Sequence, residues 1–403
     1  MGRRPGRGDR RAHRVRIASA ALVVVATAAA TAAAAAAMSG AAFAHGAAPG
    51  PRDQLVAAVD ANLRAHPKIP GEAVSVRAPG LDLAAARGLA DVAAGIPLGV
   101  ETPFRIASVT KTFVAATALR LVEDGAISLD APVARHLSPE TVVLLAADGY
   151  DPERITVHQL LDHTAGLFDY ASTAAYDAVN TTDPGHRWTP EEQLRFATDH
   201  GDPLAAPGDE YHYSDTGYVL LGEILERVTG EPLATAVRTT IGFDRLGLDH
   251  TFWEILEPAP SGEPARAHQY YDRSFDNIGL DASHDLYGGG GLVSTVADVT
   301  RFFRALFDGR VFTRTETLDT MRTISAPGRA DGAALGLFRY RIAGTECWGH
   351  PGYWGTVAYA CPALGLAFTI ETNQANEAAL DTTTVEHTVV RLARAAAAHR
   401  RRA

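Results

Sequence analysis

The chain switches between two hydrophobic periods. Leu55, Val56, Val59 and Leu63 recur at helical spacing, which predicts a helix after a Gly/Pro/Ala leader over 45–52. Apolar runs at 73–76 and 81–89, split by Pro79-Gly80, predict two strands. Val109, Phe113, Leu119 and Val122 then place a long helix just after Ser108, closed by Asp124-Gly125. Further helices are predicted over 157–161, 191–198 and 216–228, the first ended by His163 to Gly166. The glycines 288–291 read as a flexible joint and, lacking the ending of a phosphate loop, as a backbone crossing near a cleft. Residues 295–307 read as a helix with Val299, Phe302, Phe303, Leu306 and Phe307 on its core face. Strand patterning returns over 334–340, 346–350, 355–361 and 366–371, followed by a last helix over 382–397 and a basic tail, 398–403.

Strands at both ends with helices between predict an α/β protein. Residues 53–129 and 275–397 would form an antiparallel sheet flanked by helices, 130–274 an inserted, mostly helical domain, and a cleft between them the binding site. Apolar residues at 46% and charged residues at 21% are ordinary globular values, so an ordered chain is expected.

Residues 1–44 depart from that pattern. Seven arginines and one acid fill 1–16, an alanine-rich apolar run covers 17–37, and Ala42-Phe43-Ala44 follows. Basic head, apolar middle and small-residue exit predict an export signal that is removed. An anchoring helix is the alternative, weakened by the low hydrophobicity of alanine. Removal takes away seven positive charges and one negative, so net charge moves from −10 to −16. So acidic a chain lacks the basic footprint that nucleic acid requires. No later stretch has the length and apolarity of a membrane span. A secreted monomer is expected.

The two cysteines follow from the strand pattern. Pairing the segments around 346–350 and 356–361 antiparallel about residue 354 sets Cys347 opposite Cys361. Export permits a disulfide there, with two buried thiols as the alternative.

Chemistry centres on Ser108-Val109-Thr110-Lys111. Residues three apart share a helix face, so the lysine amine reaches the serine hydroxyl. Serine is a poor nucleophile without a base to take its proton. Its backbone N–H at a helix start is placed to stabilise an oxyanion. Alone, this spacing is common. It is followed by Tyr213-Ser214-Asp215 after Pro207-Gly208, and by His350-Pro351-Gly352 on a C-terminal strand.

In that order the three elements resemble the S-x-x-K, Y-x-N and K/H-x-G motifs of the serine β-lactamase and penicillin-recognising DD-peptidase superfamily. The similarity is to its branch of class C β-lactamases, D-alanyl-D-alanine carboxypeptidases and related esterases. Phe104 to Ala107, Leu160 to Gly166 and Gly289 to Thr295 match as well, and the resemblance covers about 53–395. It implies a β-lactamase/DD-peptidase-like fold and an acyl-enzyme mechanism with no cofactor and no metal. Ser108 would be acylated, and Lys111 would support its deprotonation. Tyr213 would carry the proton to the leaving group and later help to activate water. The N–H groups of Ser108 and Tyr353 would form the oxyanion hole, with Asp215, His350 and Gly352 against the substrate. The expected activity is that of a D-alanyl-D-alanine carboxypeptidase acting on short peptides such as peptidoglycan stems. An esterase of small acyl esters comes next, then a β-lactamase, with a penicillin- or peptidoglycan-binding protein of little turnover as the non-enzymatic alternative.

Two departures bear on the substrate. Asp215 stands where the family has asparagine; beside Lys111 it favours the ammonium, makes a poorer base and shifts the burden to Tyr213. An Asp215 protonated or paired harmlessly with Lys111 is the alternative. His350 stands where many relatives have lysine and attracts a carboxylate less, while Pro351 offers no hydroxyl. Other features read as structural: Asp162-His163 as a turn, and Trp188, Trp253 and Trp348 as core, with Trp354 free to shape the pocket. The histidines show no zinc spacing.

Overall fold

A computed structural model describes residues 49–271, 275–375 and 381–402. The export signal lies outside the described residues. Seven strands form one antiparallel sheet in the order Ile96–Pro97, Leu81–Asp91, Gly71–Ala78, Leu366–Glu371, Thr356–Cys361, Thr345–Gly352 and Phe338–Ile342. Both ends of the chain thus build the sheet, and the middle supplies the helices between residues 139 and 246. The fold is the mixed α/β arrangement expected.

Alternation along the central strands explains the layering. On Thr356–Cys361, Val357, Tyr359 and Cys361 face one way and meet Leu55 and Val59 of helix Pro51–Ala65, with Val385 and Val389 of helix Thr383–Arg400. Ala358 and Ala360 face the other way and join Phe113 of helix Thr110–Glu123 and Phe302 of helix Val296–Phe307. Small side chains on this second face let Thr300 approach closely enough to hydrogen-bond Thr369 at 2.9 Å. Phe113 and Phe302 stack there at 3.6 Å between centroids.

Trp348 pairs with Ala360, and the same register sets Cys347 beside Cys361, which are disulfide-bonded. Three expectations shift. Helix Pro51–Ala65 starts inside the supposed leader, because Pro51 fits the first turn and Asp53 Oδ2 accepts the Gly50 N–H at 3.1 Å. The last helix runs to Arg400, through half of the supposed tail, since His399 and Arg400 in its last turn complement the helix dipole. Residues 334–337 turn rather than extend: Ala334 N–H bonds Leu337 O at 2.8 Å, and Gly336 sits at φ +68 against helix Thr110–Glu123. Among the described residues no helix is long and apolar enough to cross a membrane.

Candidate active site

Ser108 opens the helical stretch. Ala107, Ser108 and Val109 form a tight turn that runs into helix Thr110–Glu123. The segment is anchored from behind, because Phe104–Arg105 pairs with Leu292–Ser294 and Ile106 N–H bonds Leu292 O at 3.0 Å. Ala107, buried, adopts φ +45, an unfavourable conformation for a residue with a Cβ, just ahead of the half-buried serine.

Lys111 lies one turn on and is fully buried. Its Nζ is 3.0 Å from Ser108 Oγ and 2.6 Å from Gly289 O, and it forms an ion pair with Asp215. The ring of Tyr213 lies 5.0 Å from it and that of Tyr218 5.5 Å. The glycine run that supplies Gly289 O is the backbone crossing expected and not a flexible joint. All four glycines are buried, and a Cβ on Gly288 would meet Tyr218 O at 2.1 Å. The run is a tightly packed crossing that holds an acceptor against the lysine.

Tyr213 precedes helix Asp215–Thr229. Its ring stacks on His163 at 4.3 Å, with His350 at 6.2 Å and Phe338 at 6.4 Å. Burial, with the charge of Asp215 adding, holds the phenol well above its ordinary range, while a hydrogen bond with Ser108 acts the other way. His163 does more than turn the chain. It sits at φ +60, and its Nδ1 accepts the Ser214 N–H at 3.1 Å. Burial, then the nearby Lys111 charge, keeps its ring neutral.

His350 is 1% exposed. Its Nδ1 donates to Pro351 O at 2.7 Å, which leaves Nε2 as the bare nitrogen, buried without a partner. Burial and Lys111 push its pKa down to about 3, so the ring carries no charge near neutral pH. Gly352 is where the strand meets the serine turn: a Cβ there would lie 2.3 Å from Ile106 O. Tyr353 follows and is exposed, while Trp354 is buried with Ala107 and Leu280 instead of lining an open pocket.

Two carboxyls were not singled out from the sequence. Asp169 Oδ1 accepts the Asp215 N–H at 3.0 Å. Burial, then repulsion from Asp215, pushes Asp169 and Asp285 up to about 7 each. Among the described residues no group of three His, Cys, Asp or Glu side chains could hold a metal.

Arranged this way, the site can activate a hydroxyl. Lys111 Nζ donates to Gly289 O and meets the Asp215 carboxylate, and its remaining N–H points at Ser108 Oγ, the line along which a proton can pass between the two.

The chain is similar to known proteins over most of its length. A family model described as Beta-lactamase matches residues 58–390. Esterase EstB of Burkholderia gladioli is 32% identical over 336 residues, which cover 72% of this chain and 82% of that one. Penicillin-binding protein 4 of Amycolatopsis lactamdurans is 28% identical over 307 residues, 72% of each chain. A D-stereospecific amidohydrolase from Streptomyces sp. superposes with a TM-score of 0.69 at 28% identity, covering 81% of this chain and 97% of that one.

Proposed function

The chain belongs to the Beta-lactamase family of serine hydrolases, and within it we propose an exported acyl hydrolase whose substrates are esters or amides without a carboxylate beside the scissile bond. The observation that carries this reading is the uncharged, buried His350. Substrates of a D-alanyl-D-alanine carboxypeptidase and β-lactams both bring a carboxylate that needs a cation. Here Lys111 is already ion-paired to Asp215, and His350 stays neutral. The likeness to an esterase and to a D-stereospecific amidohydrolase supports the same choice.

In this reading Ser108 Oγ attacks the acyl carbon as its proton passes to Lys111 or Tyr213. The N–H groups of Ser108 and Tyr353 take the developing negative charge. Tyr213 then delivers the proton to the departing alcohol or amine, and water, deprotonated along the same route, frees the acyl group. Export is supported by the leader over 1–44 and by the disulfide.

One experiment separates the readings. The mature protein is mixed in separate tubes with p-nitrophenyl acetate, a D-amino acid amide, a D-Ala-D-Ala peptide and a fluorescent penicillin, with intact mass and product followed together. Ester or amide turnover, abolished in Ser108→Ala and without peptide cleavage, supports the proposal. Peptide cleavage with a lasting penicilloyl adduct overturns it for the carboxypeptidase reading, which the likeness to penicillin-binding protein 4 keeps as the second choice.

A further inference from the structure

Gln269 is fully buried, yet it belongs to none of the motifs above. Its amide faces backbone on two sides. Oε1 accepts the Arg105 N–H at 3.1 Å, and Nε2 donates to Arg105 O at 2.9 Å, so one side chain pairs with both groups of one residue. The same Nε2 lies 3.4 Å from Trp354 O and 3.1 Å from Glu371 Oε1. Arg105 stands three residues before Ser108, and Trp354 one residue after Tyr353.

Glu371 completes the arrangement from the sheet. It is fully buried; its Oε2 accepts Thr356 Oγ1 at 2.6 Å and its Oε1 the Asn373 N–H at 3.0 Å. Thr356 lies opposite Glu371 in the ladder and just beyond the Tyr353 turn. That turn is closed by Gly355 N–H on Gly352 O at 3.1 Å.

We propose that Gln269, backed by Glu371, is a positioning residue that sets the spacing between the backbone N–H groups of Ser108 and Tyr353. The inference rests on the reading of Ser108 as nucleophile and of those two N–H groups as its oxyanion site. The physical argument is one of alternatives. An apolar side chain would fill this space without the desolvation cost of an amide and a carboxyl. The polar pair binds two segments that are far apart in sequence and that each carry one oxyanion donor. An oxyanion hole works only when its donors are preorganised, and losing one such donor costs about 100- to 1000-fold in kcat. The pair makes no hydrogen bond to Lys111 or Tyr213, so it acts on charge stabilisation and leaves proton transfer alone.

Gln269→Glu tests this. It keeps the volume and the acceptor for the Arg105 N–H, and it loses the donors to Arg105 O and Trp354 O. The readouts are the rate of Ser108 labelling by a fluorophosphonate, and kcat and KM for p-nitrophenyl acetate per labelled serine. Expected are a kcat per site and a labelling rate lower by about 10- to 100-fold, with KM and the acid limb of the pH profile little changed. A purely structural role would reduce the fraction of labelled protein and leave the rate per site alone. Rates per site within about twofold of the parent overturn the clamp. Should Gln269→Glu fail to fold, the same ratio measured in Glu371→Gln decides. A parent that never labels at Ser108 overturns the functional reading and the clamp together; a parent that labels no faster than Gln269→Glu overturns the clamp alone.

Discussion

Lys111 forms an ion pair with Asp215, the residue two positions after Tyr213. The carboxylate also adds to burial in opposing ionisation of the Tyr213 phenol. Where Tyr213 accepts the serine proton, Asp215 makes it harder to prepare near pH 7. Asp215→Asn should move the acid limb of kcat/KM to lower pH by about one unit or more, and raise the rate near pH 7 accordingly. A pH profile of ester hydrolysis measures it. An unmoved limb would mean that the Asp215 carboxylate does not govern the group that accepts the serine proton.

His163 should matter for turnover more than for binding. Its backbone is left-handed, a conformation that asparagine tolerates well. His163→Asn therefore preserves the turn and an acceptor for the Ser214 N–H, but removes the ring stacked on Tyr213 at 4.3 Å. The expected result is a kcat lower by about 10-fold with KM nearly unchanged, read by steady-state kinetics on an ester.

The catalytic candidates and most elements could be read from sequence because both depend on local patterns. The spacing from Ser108 to Lys111 is one helical turn, and alternation on 356–361 fixes which face each residue takes. What escaped the sequence is set by contacts between distant segments. Gln269 meets Arg105, Trp354 and Glu371, and no periodicity links those four positions. The glycines 288–291 looked flexible because glycine favours flexibility in isolation; Tyr218 O and the Asp285 carboxyl, each too close for a Cβ, make the run tight. His163 read as a turn residue because its second role requires Tyr213, fifty residues away, to stack on it.

The disulfide closes a short loop, with a sequence separation of 14. Loop-closure entropy puts its contribution at about 3 kcal/mol, acting through the unfolded chain. Replacing Cys347 and Cys361 together by alanine should lower unfolding stability by about that amount in urea titration, with the m-value rising if the unfolded chain expands. Both cysteines sit on the face that meets the terminal helices, away from Ser108. Ester turnover at 25 °C should therefore survive the change.

Stability should peak within a bounded pH range, and each side of that range has an identifiable cause. Burial pushes the Glu72 and Glu371 carboxyls up to about 8 each. Both are raised in the folded state, so their protonated forms favour folding, and that contribution is lost as pH rises from their unfolded values toward 8. His284 and His350 run the other way. Burial lowers both to about 3, so their contribution is present above about 6.5 and is lost as pH falls toward 3. Glu72 isolates the alkaline side because it stands on strand Gly71–Ala78 against Asn62 of helix Pro51–Ala65 and belongs to none of the site contacts above. Its Oε2 accepts Asn62 Nδ2 at 3.1 Å, while Oε1 is buried without a partner. Glu72→Gln keeps an acceptor for Asn62 and removes the titration. The variant should unfold at a higher temperature than the parent at pH 9, and the difference should shrink or reverse by pH 5, where the parent carboxyl is already protonated. Melting curves across that range decide it, and a difference independent of pH would show that Glu72 does not titrate there.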